Sequence, residues 1–336
     1  MRTRRVTKAL IAGAVAASVL LAACGGGASA PSASQGGTLN IDFATYNPLS
    51  LIIKEKGWLE AELADQGVTV NWVLSAGSNK ANEALRAAAI DVGSTAGSAA
   101  LLARSNGLPI QTIDIYSQPE WSALVVPGGS SITSVADLKG KRIAATKGTD
   151  PYFFLLQSLQ EAGLSPTDVT VEILQHADGW AALQNGSVDA WAGLDPIMAG
   201  AEEAGAKLLY RNVGFNSYGF LNATESFLAE KPDLAQAVVD AYEHARAWAK
   251  ENPEETATIL SEAAGLDLPV ATKVIVERSN LDVDPIPGAA QIAVLEKIGP
   301  IFVESGDVTD QAKVDAALAT LLNDSFVTKA DPSRFE

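Results

Sequence analysis

The chain reads as an α/β protein folded in two lobes, and three observations carry that reading. Short β-branched runs alternate with Ala-rich helical stretches from Leu39 onward. A second series of the same kind starts after Pro127-Gly128-Gly129. Beyond Phe220-Leu221-Asn222-Ala223 the pattern is entirely helical. Strands alternating with helices bury their apolar faces by stacking helices on a parallel sheet.

Leu39 to Ala44 alternates as a strand, and Leu49, Ile52 and Ile53 then share one helix face. Val68–Leu74 follows as strand, Lys80–Ala89 as helix, Asp91–Ser94 as a short strand and Ala99–Ser105 as helix; Ile110–Ile115 and Ser122–Val126 are two more strands. The second series runs through strand Lys141–Ala145, helix Tyr152–Ala162, strand Val169–Leu174, helix Gly179–Gln184, strand Val188–Ala192, helix Ile197–Glu203 and strand Lys207–Tyr210. In the helical third, Leu234, Val238, Val239, Tyr242, Ala245 and Trp248 keep helical spacing and are expected to pack on the first lobe. Pro232 lies near that helix start. Asn252-Pro253-Glu254-Glu255 reads as an N-cap, a first-turn proline and a capping-box glutamate.

This order places residues 38–126 and 221–336 in lobe 1 and 127–220 in lobe 2, with the chain crossing near Val125–Gly128 and again near Tyr218–Leu221. Ligands of open α/β sheets sit beyond the carboxyl ends of the strands. Two facing lobes therefore make a cleft walled by strand-to-helix loops, a geometry suited to capture by hinge closure.

The N-terminus has a different composition. Arg2, Arg4, Arg5 and Lys8 precede an apolar run from Ala9 to Ala23, the pattern of a secretory signal. At about fifteen residues the run is shorter than the roughly twenty that a membrane-spanning helix needs. Leu21-Ala22-Ala23-Cys24-Gly25 resembles the lipobox of bacterial lipoproteins, which implies removal of residues 1–23 and acylation of Cys24, the single cysteine. Two or three acyl chains hold a protein at a membrane stably, whereas one does not. Thr3-Arg4-Arg5 hints at twin-arginine export, but Thr7 stands where a hydrophobic residue belongs. Residues 24–37 are small and polar and form a flexible tether.

The remaining 310 or so residues suffice for two lobes of about 100–200 residues. With 24 basic against 40 acidic residues and a formal net charge of −16, the surface repels phosphate backbones, so nucleic acid is excluded as a partner. One cysteine allows no internal disulfide and no thiolate metal cluster. His176 and His244 alone give a zinc enzyme or a serine triad few parts. No cofactor is expected, and the chain is expected to be a monomer.

Lys54-Glu55-Lys56-Gly57-Trp58-Leu59, Gly93-Ser94-Thr95-Ala96-Gly97, the run Val135 to Ala144, Lys147-Gly148-Thr149, Gly186-Ser187-Val188-Asp189-Ala190-Trp191 and Asp195-Pro196 occur in this order across nearly the whole mature chain. In order and spacing they are similar to the substrate-binding proteins of the nitrate, taurine and aliphatic-sulfonate ABC importers. The resemblance implies the type II periplasmic-binding fold, each lobe a mixed sheet flanked by helices, with the C-terminal helices packed on lobe 1. It also implies capture of a small anionic or zwitterionic solute outside the cell, an ABC permease with its ATPase as partner, and no chemistry.

Three loops are the candidate ligand contacts: Ser75, Gly77 and Ser78; Thr95, Ala96 and Gly97 before Ser98; and Gly148, Thr149 and Asp150. Each is expected between a strand end and a helix start, where small residues let backbone N–H groups approach an anion and the helix dipole favours negative charge. Capping of those helices by Ser75, Thr95 and Thr149 is the competing reading. Tyr46 and Asn47 end the first strand and are placed for polar contacts, although Asn47-Pro48 also reads as a helix start. Trp121 beside a crossing and Trp191 at a strand end are placed to wall the cleft. Asp195-Pro196 reads as a helix start, and His176 has no evident partner.

Sulfonate-binding relatives often carry serine or asparagine where this chain has Asp150, and tryptophan where it has Leu194. Two readings of Asp150 stay open. Its carboxylate caps its own helix and occupies the N–H groups an anion wants, or one of Asp150 and Glu120 meets the ammonium of a zwitterion such as taurine. Nitrate, an aromatic carboxylate or a pyrimidine-type vitamin precursor is the alternative cargo, with Trp121, Trp180 and Trp191 favouring a planar one. A remoter alternative is an enzyme like the fungal thiamine-pyrimidine synthases, whose cysteine-rich signature is missing here.

Overall fold

The computed structural model describes residues 36–335; Cys24, the expected signal and most of the expected tether lie outside them. The first part of the chain runs β1 (Gly37–Phe43), α1 (Pro48–Lys56), α2 (Trp58–Ala64), β2 (Val68–Leu74), α3 (Ser78–Arg86), β3 (Val92–Ala96), α4 (Gly97–Ser105) and β4 (Ile110–Ser117). The middle part runs β5 (Ser122–Val126), β6 (Arg142–Ala145), α5 (Asp150–Glu161), β7 (Thr170–Ile173), α6 (His176–Gln184), β8 (Ala190–Leu194), α7 (Ile197–Glu203) and β9 (Lys207–Arg211). After β10 (Gly219–Thr224) come α8 (Glu225–Glu230), α9 (Pro232–Glu251), α10 (Pro253–Ala264), α11 (Leu268–Lys273), a π-type turn at Val274–Arg278, α12 (Ala289–Glu304) and α13 (Gln311–Leu321).

Two mixed five-stranded sheets result, in the orders β2-β1-β3-β10-β4 and β7-β6-β8-β5-β9. The orders are equivalent. In each, three strands run parallel and one strand delivered by a crossing pairs antiparallel between two neighbours: β10 with β3 and β4, β5 with β8 and β9. The parallel strands end on the same side, so their strand-to-helix loops form the walls of the interlobe cleft.

The pairing of β5 corrects the first expected crossing. Ser122–Val126 belongs to the second sheet, so the chain crosses at Gln118–Trp121 and not at Val125–Gly128. After Ser122 the run is apolar, and it is buried on both faces, a pattern that suits the interior of either sheet. The second crossing lies between β9 and β10, at Asn212–Tyr218.

The C-terminal helices bind to the first sheet's side and also brace the second. Val238, Val239, Tyr242 and Ala245 of α9 are fully buried in one cluster with Leu39, Ile41 and Ile52. Farther on, Phe302 of α12 packs on Phe153 of α5 with ring centroids 4.7 Å apart, and Lys147 of the second lobe pairs with Asp307 at 2.6 Å. The expected capping box at Asn252 does not form: Pro253 starts α10, but the Asn252 side-chain amide turns back to the Trp248 carbonyl.

Candidate functional site

The two crossings and the first turns of α4 and α5 meet around one carboxylate. Asp150, at the start of α5, is buried and accepts four hydrogen bonds. The Ser98 hydroxyl donates to Oδ1 at 2.6 Å and the Ser217 hydroxyl to the same oxygen; the indole N–H of Trp121 donates to Oδ2 at 2.9 Å and the Ser217 backbone N–H at 2.8 Å. Burial pushes this carboxyl above its usual range, and the donors from Ser217, Ser98 and Trp121 pull the other way. Each oxygen has two donors, so the group is satisfied without any ammonium. Thr149, not Asp150, is the N-cap residue of α5, and its side chain makes no capping bond; its hydroxyl donates to the Thr146 carbonyl.

The first turn of α4 is equally committed. The Gly97 N–H donates to the carbonyls of Ser217 and Tyr218, and the Ser98 N–H to the Ser217 hydroxyl at 2.8 Å. A β-carbon on Gly97 would lie 2.3 Å from the Ser217 carbonyl oxygen, so only glycine lets the second crossing approach this closely. Thr95 and Ala96 belong to β3 instead of a loop, and the Thr95 hydroxyl donates to the Ala96 carbonyl while accepting from the Asn222 amide. The anion cradle expected at Thr95-Ala96-Gly97 is therefore closed by the chain's own groups.

Other expected contacts divide. Asn47 caps α1, accepting from the Ser50 N–H, and its amide donates to the Tyr242 hydroxyl. Glu120 turns outward to Arg211, 2.9 Å away at Nε. Trp191 is the second residue of β8, far from the strand's cleft end, and lies fully buried against Gly179 and Trp180 in a small core of the second lobe. Trp180 belongs to the same packing, so neither ring walls the cleft. Ser78 accepts the Ala96 N–H at 2.9 Å.

Ser75 and Gly77 sit at a junction between lobes. A β-carbon on Gly77 would lie 3.0 Å from His176 Nε2 and 2.9 Å from Asn79 Oδ1, so α6 of one lobe closes on the loop before α3 of the other. The Thr146 hydroxyl donates to the Leu174 carbonyl at 2.7 Å and so accepts from His176 Nδ1 at 3.1 Å, which leaves Nε2 as a bare acceptor. Burial lowers the pKa of His176 to about 3, so the ring is neutral. Ser75 Oγ, Asn79 Oδ1, Gln175 Oε1 and His176 Nε2 are all buried without a hydrogen-bond partner. Gly148 lies beside them, its absent β-carbon 3.8 Å from Asn79.

Beside the first crossing a cavity remains, with about 10 Å³ for the centre of a water molecule, lined by Tyr46, Ser117, Trp121, Asp195, Arg278 and Ser279 among others. Tyr46 and Trp121 meet edge-on, ring centroids 6.0 Å apart. Their polar ends point elsewhere: the Tyr46 hydroxyl donates to the Ser94 carbonyl at 2.9 Å, and the indole N–H to Asp150. Beneath them Asp42 of β1 accepts from the N–H and hydroxyl of Ser94, and burial pushes its carboxyl up to about 7. Asp195 does start a helix, accepting the Ala199 N–H at 3.0 Å, but it also holds Arg278 with Nη1 3.2 Å from both its oxygens. Burial pushes the Asp195 carboxyl up to about 6 against the pull of Arg278. Nothing near Arg278 in the chain announces this role, because Asp195 stands 83 residues away.

A family model described as NMT1/THI5 like matches residues 50–256, from α1 into α10. The chain belongs to this family. A Bacillus subtilis protein named as an aliphatic sulfonates-binding protein is 33% identical over 266 residues, covering 78% of this chain and 80% of the relative. Among solved structures, the alkanesulfonate-binding protein SsuA from Xanthomonas axonopodis pv. citri, bound to MOPS, superposes with a TM-score of 0.76 at 25% identity, over 86% of this chain and 98% of that one. The desulfurization enzyme DSZB shares the fold with a TM-score of 0.63, but at 17% identity over 87% of this chain and 98% of the enzyme the likeness is of fold alone. The chain thus has the two-lobed architecture of the sulfonate-binding proteins.

Proposed function

We propose that this protein is the extracytoplasmic solute-binding component of an ABC importer, which closes its lobes on a small sulfonate or taurine-like compound, delivers it to the permease and its ATPase, and performs no chemistry. One observation carries the reading: a chain with a relative 33% identical that is named for aliphatic sulfonates keeps a small cavity between the lobes with aromatic faces and a guanidinium on its wall. Such a cavity suits a solute with a short apolar body and a charged head. The two segments that join the lobes, Gln118–Trp121 and Asn212–Tyr218, are the ones about which they would close.

Calorimetry of the purified protein against ethanesulfonate, taurine, MOPS, nitrate and benzoate tests the cargo. A heat for at least one sulfonate and none for nitrate or benzoate is expected; silence toward every sulfonate with a clear heat from another solute overturns it. For a planar cargo, Trp121 is the one tryptophan placed on the cavity wall, which speaks against stacking between two of them.

The same proposal has Cys24 acylated after loss of residues 1–23, with residues 24–37 as the tether and the protein held as a monomer on the outer face of the membrane. Cys24→Ser should move the protein from the membrane to the soluble fraction. Unchanged membrane retention of that variant would argue against the anchor.

A further inference from the structure

We propose that Arg278 is the anchor for the anionic head of the solute, a role that rests on the sulfonate-capture reading above and names the group that would carry it. Four observations converge on this side chain. It is 2% exposed and lines the cavity. Its terminal nitrogens are engaged: Nη1 donates to Asp195, and Nη2 to Glu202 of α7. Its Nε–H has no partner although it is buried. A buried N–H left unmatched costs free energy comparable to a lost hydrogen bond, and a sulfonate oxygen in the cavity would remove that cost. The fork itself is spent on the two carboxylates, and the positive charge strengthens the one hydrogen bond that Nε–H can still give an oxyanion.

The surroundings favour this seat over the start of α4. At α4 the first-turn N–H groups of Gly97 and Ser98 are spent on Ser217 and Tyr218, and the Ser98 hydroxyl on Asp150. Tyr46 and Trp121 have turned their polar atoms away, so they offer ring faces to the solute's apolar body while Arg278 takes its head. Burial works against the charge of Arg278, but Asp195 and Glu202 more than offset it and hold the guanidinium above its usual value. Lys273, 3.3 Å from Glu202, brings the local count to two cations against two carboxylates.

The placement also couples binding to closure. The Arg278 carbonyl accepts the Glu120 N–H at 2.8 Å, which ties the residue to the first crossing, and the neighbouring Val274 and Ile275 pack in the first lobe's core. Its side chain grips Asp195 and Glu202 of the second lobe. Bringing the lobes together and completing the anion seat are then one event. Room for about one water implies that the lobes part to admit the solute.

The test compares wild type, Arg278→Met and Arg278→Lys by calorimetry with ethanesulfonate and with its uncharged analogue ethanesulfonamide, after circular dichroism and thermal melts establish folding. Wild type should prefer the sulfonate. Arg278→Met should lose about 100-fold in sulfonate affinity and most of that preference, while Arg278→Lys, which keeps the charge but not the fork, should lose about 10-fold. A merely structural arginine would weaken both ligands equally and leave the preference intact, which would overturn the assignment. If Arg278→Met does not fold, Arg278→Lys decides alone, and wild-type affinity in that variant is the overturning result. Silence of wild type toward every sulfonate would overturn the cargo reading and this assignment together. Binding by wild type that Arg278→Met leaves unchanged would overturn the assignment only.

Discussion

At the crossings, Asp150 takes four hydrogen bonds from Ser98, Trp121 and Ser217, and the first turn of α4 spends its N–H groups on the chain itself. On the cavity side Arg278 also meets carboxylates of the other lobe, yet it keeps one buried N–H unmatched. Both are charged groups that join the lobes. The first is saturated and can only hold structure, whereas the second has capacity left for a solute. Hydrogen-bond accounting thus separates a hinge from a binding seat where motif position does not.

The largest effect should come from emptying the saturated side. Asp150→Ala leaves two hydroxyls, an indole N–H and a backbone N–H facing a small void, and should lower stability by about 3 kcal/mol in urea unfolding. Sulfonate affinity of the folded variant should change far less than in Arg278→Met. A stable Asp150→Ala protein that has lost its ligand would reverse the assignment of the two sides.

The two sides should answer pH separately. Asp42, under the Ser94 that accepts from Tyr46, has its pKa raised from 3.8 to about 7 by burial, and Asp195 on the cavity side has its own raised to about 6. A carboxyl that holds its proton more tightly when folded adds stability below pH 4 that is lost as pH rises through the folded value. Each group should therefore lower stability by up to about 1.4 kcal/mol per pH unit, over pH 4 to 7 for Asp42 and pH 4 to 6 for Asp195. Unfolding curves of wild type and Asp42→Asn between pH 4 and 8 should converge at the acid end and part as pH rises. A constant difference would show that Asp42 is ionised throughout.

Trp121 belongs to both sides, its N–H to Asp150 and its ring to the cavity. Trp121→Phe removes one donor and keeps an aromatic wall, so a loss of about 1 kcal/mol in stability with affinity within about threefold is expected. A much larger fall in affinity would mean that the indole N–H serves the solute. The smallest effect belongs to Ser75→Ala: the Ser75 hydroxyl reaches no well-formed hydrogen bond and only helps hold down the Asp42 carboxyl beside it, so thermal melts should show a change under about 0.5 kcal/mol. A clear destabilisation would reveal a hydrogen bond to that hydroxyl.

Much of the architecture is legible in the chain. The alternation of β-branched and Ala-rich runs marks both sheets, and the helical spacing of Val238, Val239, Tyr242 and Ala245 marks the helix buried on the first lobe. The first crossing is not legible because Ser122–Val126 is buried at every position and apolar after Ser122, and such a strand carries no sign of which sheet takes it. The site was legible in location and not in state. Gly97 and Ser98 do stand at a strand-to-helix junction, but whether their N–H groups are free depends on Ser217, 119 residues from Ser98. Glu120 and Asp150 looked alike as carboxylates beside a cleft. One is drawn outward by Arg211 and the other inward by four donors, partners that only folding supplies.

A crystal structure of the wild-type protein soaked in or grown with ethanesulfonate would show which group holds the anionic head. The sulfonate should lie on Arg278 Nε, the ethyl group between Tyr46 and Trp121, and Asp150 should still be bound by Ser98, Trp121 and Ser217. A sulfonate lodged instead on the first turn of α4 with Asp150 displaced, or at the Ser75–His176 junction away from Arg278, would contradict that placement.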